Sequence, residues 1–182
     1  MTEIHLSDDL VHIGDYAFYG LSSEYANAKI VIPRNVSDFG NYVFLAANIK
    51  EVEFLNDMEI LPQSTFEASG VEKVIFNNVM SEIGRNAFKN ASGLREITLP
   101  SSLTMIGNNA FEGAFDNATV VIPENVTSLG YGAFKDSSLH EITLPINSLQ
   151  EIGSYAFYGS TVENISIPES VISIGYYAFA SS

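Results

Sequence analysis

At 182 residues the chain has the length of a single domain, and its 46% hydrophobic content is enough for a buried core. It carries 22 acidic residues against 8 lysines and arginines, a net charge of −14, and it contains no cysteine. Disulfides and thiolate chemistry are therefore excluded, and so acidic a surface repels nucleic acid and anionic lipid.

The chain opens on Met1–His5, which lacks the basic stretch and apolar run of a secretory signal peptide, so we expect none here. No run approaches 18 apolar residues, so we expect no insertion into a membrane. Ile4, Leu6, Leu10 and Ile13 already follow the pattern that the rest of the chain repeats.

A six-residue phrase ending in phenylalanine returns along the whole chain. Its copies read IGDYAF, FGNYVF, LPQSTF, IGRNAF, IGNNAF, LGYGAF, IGSYAF and IGYYAF. The closing residues are Phe18, Phe44, Phe66, Phe88, Phe111, Phe134, Phe157 and Phe179, at spacings of 26, 22, 22, 23, 23, 23 and 22 residues. A regular period of this length predicts a repeat architecture, with the phenylalanines as an internal column.

A second phrase lies between the copies of the first and predicts a short strand. It is clearest at Leu94–Pro100 and returns at Leu139–Pro145 and Val162–Pro168. Apolar residues two apart indicate a strand with one buried face, and the proline ends it. The predicted inward column contains Ile30, Val52, Val74, Ile97, Val120, Ile142 and Ile165.

A third apolar pair, such as Leu103 and Ile106, precedes a glycine in seven of the repeats. This glycine predicts either a backbone with positive φ or a close approach between backbones. Each repeat has about six apolar side chains to bury but is too short to enclose them, so stacking must complete the core. The pattern predicts a mostly β solenoid of about eight repeats of 22–26 residues, with short stacked parallel strands and little helix.

Leu94–Gly113, which reads LREITLPSSLTMIGNNAFEG, resembles the BspA-type leucine-rich repeat nearly residue for residue. The resemblance covers essentially the whole chain, and it implies a right-handed leucine-rich-repeat coil. It also implies a surface protein, often one that adheres to host proteins or other microbes. The chain departs from the family in lacking the cysteine that often follows AFxG, and in the compact segments Lys29–Pro33 and Thr119–Pro123.

We interpret residues 1–182 as one leucine-rich-repeat domain. The pattern starts without a distinct cap and stops at Phe179–Ser182, just after a closing phenylalanine. Solenoids need polar caps. We therefore expect either a fragment of a longer chain or self-association through uncapped ends.

Candidate residues for chemistry are few. His5, His12 and His140 have no metal-ligand spacing, and no strained nucleophile turn of the G-x-S-x-G kind occurs. The glycines recur once per repeat for turn geometry and form no phosphate loop. We predict no catalytic residue, no cofactor and no metal site.

That prediction has a simple consequence for stability. EDTA or dithiothreitol should leave the thermal unfolding curve unchanged, because the sequence offers neither a ligand cluster nor a thiol that could respond. A drop in melting temperature with EDTA, reversed by adding Ca²⁺ or Zn²⁺, would reveal a cation site built from carboxylates.

The outward strand positions are the first candidate binding surface. One predicted column contains His5, Val31, Glu53, Ile75, Thr98, Val121, Thr143 and Ser166. The column beside it contains Glu3, Lys29, Glu51, Lys73, Glu96, Thr119, Glu141 and Asn164. Lys29, Glu51, Lys73 and Glu96 alternate in sign, which favours pairing between strands. Outward positions on a sheet usually carry polar residues, but three of these positions hold Val31, Ile75 and Val121. Their apolar side chains indicate either strand propensity alone or the apolar part of a binding face.

Tyrosines form the second candidate surface. Tyr16, Tyr19 and Tyr42 lie near the start, and Tyr155, Tyr158, Tyr176 and Tyr177 lie near the end. Such residues suit an interface, but packing between adjacent coils is the simpler interpretation.

The sequence favours a non-enzymatic protein-binding module, from a cell-surface or secreted adhesin-like protein as the resemblance implies. The partner would be a protein of the host or of the cell envelope. Under this hypothesis Val31, Ile75 and Val121 anchor the partner, while Lys29, Glu51, Lys73 and Glu96 orient it. The alternatives are a carbohydrate-binding surface on exposed tyrosines and a structural or self-assembling spacer.

Overall fold

The computed structural model describes residues 3–77 and 79–182 and shows a parallel β-solenoid of about seven turns. Eight copies of the phenylalanine phrase span these turns, since one turn runs from each copy to the next. Within the described residues the helical content is a single 3-10 turn, Ser23–Tyr25. No helix in that part of the chain has the length and apolar character that a bilayer span requires. The predicted fold class, mostly β with little helix, is confirmed.

One side of the solenoid is built from the predicted strands, and we call its outer surface the strand face. Its strands are β1 (Glu3–Ile4), β3 (Lys29–Ile32), β5 (Glu51–Phe54), β7 (Lys73–Ile75), β9 (Glu96–Thr98), β11 (Ala118–Val121) and β13 (Leu139–Thr143). Exposure alternates along them, as in β5, where Val52 and Phe54 are buried while Glu51 and Glu53 are partly exposed. This alternation follows from the pleat, which sends successive side chains to opposite faces.

The strand face consists of two sheets in succession. The first has the order β1-β3-β5-β7-β9, and the second pairs β11 with β13. In the second sheet the register shifts by one residue after Ala118, which pairs with Leu139, so that Thr119 faces Glu141. β9 and β11 are neighbours in space but form no ladder.

The opposite side carries two-residue strands that end at the apolar residue before the glycine of each phrase. They are β2 (His12–Ile13), β4 (Asp38–Phe39), β6 (Ile60–Leu61), β8 (Glu82–Ile83), β10 (Met105–Ile106), β12 (Ser128–Leu129), β14 (Glu151–Ile152) and β15 (Ser173–Ile174). β2 pairs with β4, and the remaining six form one continuous parallel sheet. The residues that follow each of these strands, up to two residues past the closing phenylalanine, form a second surface. We call this surface the turn side.

The core between the two sides contains the predicted column of phenylalanines. From Phe18 to Phe179 each closing ring stacks on the next, with centroids 5.0–5.4 Å apart and planes within 11° of parallel. The six rings from Phe44 to Phe157 are fully buried. Their spacing is close to the strand separation of about 4.8 Å, so the rings follow the stacking of the coils. One phenylalanine per turn therefore links every coil to its neighbours.

The glycines of the phrase serve close approach between backbones. A Cβ placed on Gly107 would lie 2.8 Å from the carbonyl oxygen of Ile83, and one on Gly153 would lie 2.7 Å from that of Leu129. Positive φ occurs instead two residues before and two residues after each closing phenylalanine, for example at Tyr16 and Gly20. Of the two roles predicted for this glycine, the structure therefore shows the second, which is to allow the backbones of neighbouring coils to approach closely.

Two parts of the inward strand column differ from the prediction. The predicted strand at Val162–Pro168 is not formed, since no strand is present between β14 and β15. Ile165 there is only half-buried and Ile167 is 41% exposed, so this segment lacks the burial that aligns the other strands. Ile97 is also only half-buried, although Val74 and Val120 on the neighbouring coils are buried.

Candidate binding surface

The strand face brings together the charged residues that the sequence placed in one column. Lys29 lies opposite Glu51, Glu51 opposite Lys73, and Lys73 opposite Glu96 in consecutive ladders. The predicted register of this column is therefore correct across the first sheet. Because the strands pair in parallel without a shift in register, side chains of opposite charge lie next to each other, as the alternating charges in the sequence predicted.

These charges form ion pairs with one another. Lys29 Nζ lies 2.7 Å from Glu53 Oε2 and 2.9 Å from Glu51 Oε1, and Lys73 Nζ lies 2.7 Å from Glu96 Oε2. Hydrogen bonds to Glu53 and then to Glu51 raise the pKa of Lys29, and the bond from Lys73 lowers the pKa of Glu96. Sequence reasoning missed the diagonal contact from Lys29 to Glu53 in the neighbouring column, which a long lysine side chain can reach.

The three apolar residues of the strand face do not form one patch. Val31 and Ile75 lie on either side of Glu53 in the first sheet, and both are half-buried. Val121 belongs to the second sheet and is 61% exposed. The structure therefore divides the predicted apolar anchors between two sheets, with β9 between Ile75 and Val121.

A groove of about 530 Å³ opens on the strand face beside Val121. It follows the line where β9 and β11 fail to pair, and both strands contribute to its walls. Its volume lies within the range of small-ligand and side-chain pockets. The sequence marked Thr119–Pro123, which supplies part of its lining, as a compact segment, but the repeat length there is unchanged at 23 residues and did not predict a break between the strands.

On the turn side the tyrosine rings stack on one another. Tyr16 and Tyr42 are nearly parallel with centroids 4.8 Å apart. Tyr155 lies between Tyr131 at 5.4 Å and Tyr177 at 5.3 Å. Tyr131 is an addition to the tyrosines that the sequence indicated. It directly follows Gly130, on the coil before that of Tyr155, and this position brings its ring against the Tyr155 ring. Tyr155 stacks on Tyr177 with planes 28° apart but meets Tyr131 at a tilt of 46°, and Tyr131 and Tyr177 keep 48% and 63% of their surface exposed.

The middle of the turn side carries a charged ladder in place of tyrosines. Glu112 accepts bonds from Lys89 Nζ at 2.9 Å and Lys135 Nζ at 3.0 Å, so one carboxylate joins three successive coils. Burial opposes ionisation of Glu112, but the bonds from the two lysines outweigh it and lower the pKa of this carboxyl group. Asp136 Oδ2 lies 3.3 Å from Lys135 Nζ, so two lysines and two carboxylates balance in charge across the stacked coils.

The histidines are dispersed. His12 contacts Asp38 at 2.7 Å between β2 and β4, with both side chains exposed, and His140 is exposed on β13. Within residues 3–77 and 79–182 no three histidine, aspartate or glutamate side chains converge as metal ligands would.

Comparison with protein families agrees with this geometry. The family model described as the BspA type leucine rich repeat region matches residues 1–117 and 106–182, in six copies. A search of curated protein sequences gives no significant match.

Solved structures similar to the chain include two leucine-rich repeat proteins. A leucine-rich repeat protein from Bacteroides ovatus has 20% identity and a TM-score of 0.58, and the match covers 97% of this chain and 63% of that one. A leucine rich cell surface protein from Faecalibacterium prausnitzii has 29% identity and a TM-score of 0.61, over 94% of this chain and 40% of that one. The chain thus spans less than two thirds of the length of either protein.

Proposed function

The chain belongs to the BspA-type leucine-rich repeat family, and on that premise we propose that it is a non-enzymatic protein-binding module of a cell-surface or secreted, adhesin-like protein. The strand face is the binding surface in this proposal. Leucine-rich repeat folds commonly serve protein interaction, and the Faecalibacterium prausnitzii protein of the same architecture is described as a cell surface protein.

One observation carries the choice of the strand face. Lys29, Glu51, Lys73 and Glu96 of the first sheet form ion pairs with one another, while Val31, Ile75 and Val121 present apolar surface on the same face. Apolar anchors contribute most of the affinity of an interface, and paired charges near its rim mainly set orientation and association rate. We assign Val31, Ile75 and Val121 as anchors, and Lys29, Glu51, Lys73 and Glu96 as orienting groups.

The carbohydrate alternative would use the tyrosines. A sugar ring stacks on an open aromatic face, yet Tyr16 and Tyr155 each have a neighbouring ring against them. This stacking favours packing between coils and makes the turn side the weaker candidate. A spacer role would require self-association, which the experiment below also measures.

The proposal predicts that Val31→Ser, Ile75→Ser and Val121→Ser together abolish capture of the partner, while Tyr155→Ala, Tyr158→Ala and Tyr177→Ala together have little effect. The measurement is a pull-down from host and cell-envelope extracts, with each captured protein identified and its binding then measured in purified form. Circular dichroism checks that both triple variants remain folded, and light scattering gives their masses.

Capture that survives in the serine variant and is lost in the tyrosine variant would move the binding site to the turn side. A wild-type mass of a dimer or filament that the tyrosine substitutions reduce to a monomer would favour the spacer role instead.

A further inference from the structure

The missing ladder between β9 and β11 has a local cause in the backbone. Phe115 and Asn117, just before β11, have φ of 75° and 55°. Bulky residues seldom adopt this left-handed region. Phe115 is only 2% exposed, and its ring stacks on that of Phe111 at 5.1 Å. With this extra ring in the core and two left-handed residues in the connection, β11 pairs with β13 alone and β9 with β7 alone.

The groove at this break has an apolar floor and a polar rim. Ile97 and Leu99 line it from the β9 side, and Val121 and Ile122 line it from the β11 side. Ile97 is half-buried because no ladder holds β11 against β9. Above this floor the rim is made of hydroxyl, amide and carboxylate groups, from Thr98, Ser101, Thr119, Glu124, Asn125 and Thr143.

The groove also carries uncompensated negative charge. Glu124 is on its rim, and Glu141 lies opposite Thr119 in the ladder of the second sheet. Neither carboxylate has an ion-pair partner among the described residues. Lys73 and Arg95, on or beside the strands next to the groove, are already bound, Lys73 to Glu96 and Arg95 to Asp116 at 2.6 Å. No lysine or arginine follows Lys135 in the sequence.

We propose that this groove receives a large apolar side chain from a protein partner, and that a lysine or arginine next to that residue contacts Glu124 or Glu141. The proposal rests on the strand face being the binding surface, and it names the part of that surface that selects the partner. An apolar floor within an acidic rim fits such a pair of residues, because burial supplies affinity and charge complementarity supplies selectivity. No aromatic ring lines the groove, so it offers a sugar no stacking platform.

The probe is a library of random heptapeptides displayed on phage and selected on the immobilised wild-type protein. The expected consensus places Leu, Ile, Met or Phe beside Lys or Arg. Binding of the synthetic consensus peptide is then measured by fluorescence anisotropy. Val121→Ser, and Glu124→Gln with Glu141→Gln, should each raise Kd about tenfold or more.

Val11→Ser provides the matched control. Val11 is a valine of similar exposure, 57%, that lies before β2 and away from the groove. Its replacement should leave Kd unchanged. Since all these side chains are exposed, the melting temperatures of the variants should remain close to that of the wild type.

Four results would overturn the proposal. The first is a consensus without a basic residue. The second is a peptide whose binding survives Val121→Ser but is lost on combining Val31→Ser with Ile75→Ser, which would reject the groove while leaving the strand face as the binding surface. The third is a peptide indifferent to every strand-face substitution, which would reject both the groove and the proposed function. Neutral oligosaccharides that bind wild type but not Val121→Ser would also reject a peptide as the occupant.

Discussion

Replacing Ile142 by aspartate should lower the free energy of unfolding by about 3–5 kcal/mol, whereas the same change at Thr143 should cost less than about 1 kcal/mol. Ile142 is 4% exposed and lies opposite Val120 in the second sheet, so a carboxylate there would be buried between coils without a partner. Thr143 is the next residue of the same strand, and its side chain is exposed on the strand face.

The measurement is urea and thermal unfolding of both variants, followed by circular dichroism. Because stacked repeats can unfold in more than one step, midpoints and the shape of the transition are compared along with extrapolated free energies. Thr143→Asn is the neutral control, since it separates the added charge from the change of shape beside Glu141. Equal destabilisation by Ile142→Asp and Thr143→Asp would mean that inward and outward positions on β13 are wrongly assigned.

A methyl group added at Gly153 should be nearly as damaging, with a loss of about 3 kcal/mol. A Cβ there would lie 2.7 Å from the carbonyl carbon and oxygen of Gly130 and 2.7 Å from the carbonyl oxygen of Leu129. All three atoms belong to backbone that already holds Gly153, whose N–H donates to the Leu129 carbonyl at 2.9 Å. The clash would be relieved only if the coil of Gly153 moved away from the coil of Gly130. That movement would also weaken the contact between Phe134 and Phe157.

Gly70→Ala is the matched control for Gly153→Ala. The nearest atom to a Cβ on Gly70 is Asn48 Oδ1 at 3.5 Å, an ordinary contact. Alanine at Gly70 should therefore leave the free energy of unfolding unchanged or raise it by a few tenths of a kcal/mol, because alanine lowers the conformational entropy of the unfolded chain. Thermal unfolding of both variants measures the difference. A Gly153→Ala melting temperature within a degree or two of the wild type would show that the coils can part at little cost.

The sequence by itself determined three features: its repeat motif indicated the family, and its period predicted the solenoid and the composition of its core. Phenylalanines 22–26 residues apart must lie one above another when each repeat makes one turn, and the structure stacks every one of them. Alternation within the strands likewise determined which side chains face outward, and it predicted the register of Lys29, Glu51, Lys73 and Glu96 correctly. These features depend on near neighbours in the chain and on one repeated contact between coils, and a single sequence contains both.

The tertiary structure decided what each outward group contacts. The glycine of the phrase could have served positive φ or close approach, and only the position of the preceding coil selects between them. Tyr131 joins the tyrosine ladder, and Lys29 reaches across to Glu53, through contacts between residues that are far apart in sequence. The groove beside Val121 lies where β9 and β11 form no ladder, just after the left-handed residues Phe115 and Asn117, and the repeat length there is unchanged. A periodic pattern encodes what recurs in every turn, whereas this groove lies where one turn departs from its neighbours. The compact segment Thr119–Pro123 marks that departure in the sequence, but only the placement of the two coils side by side shows that β9 and β11 form no ladder.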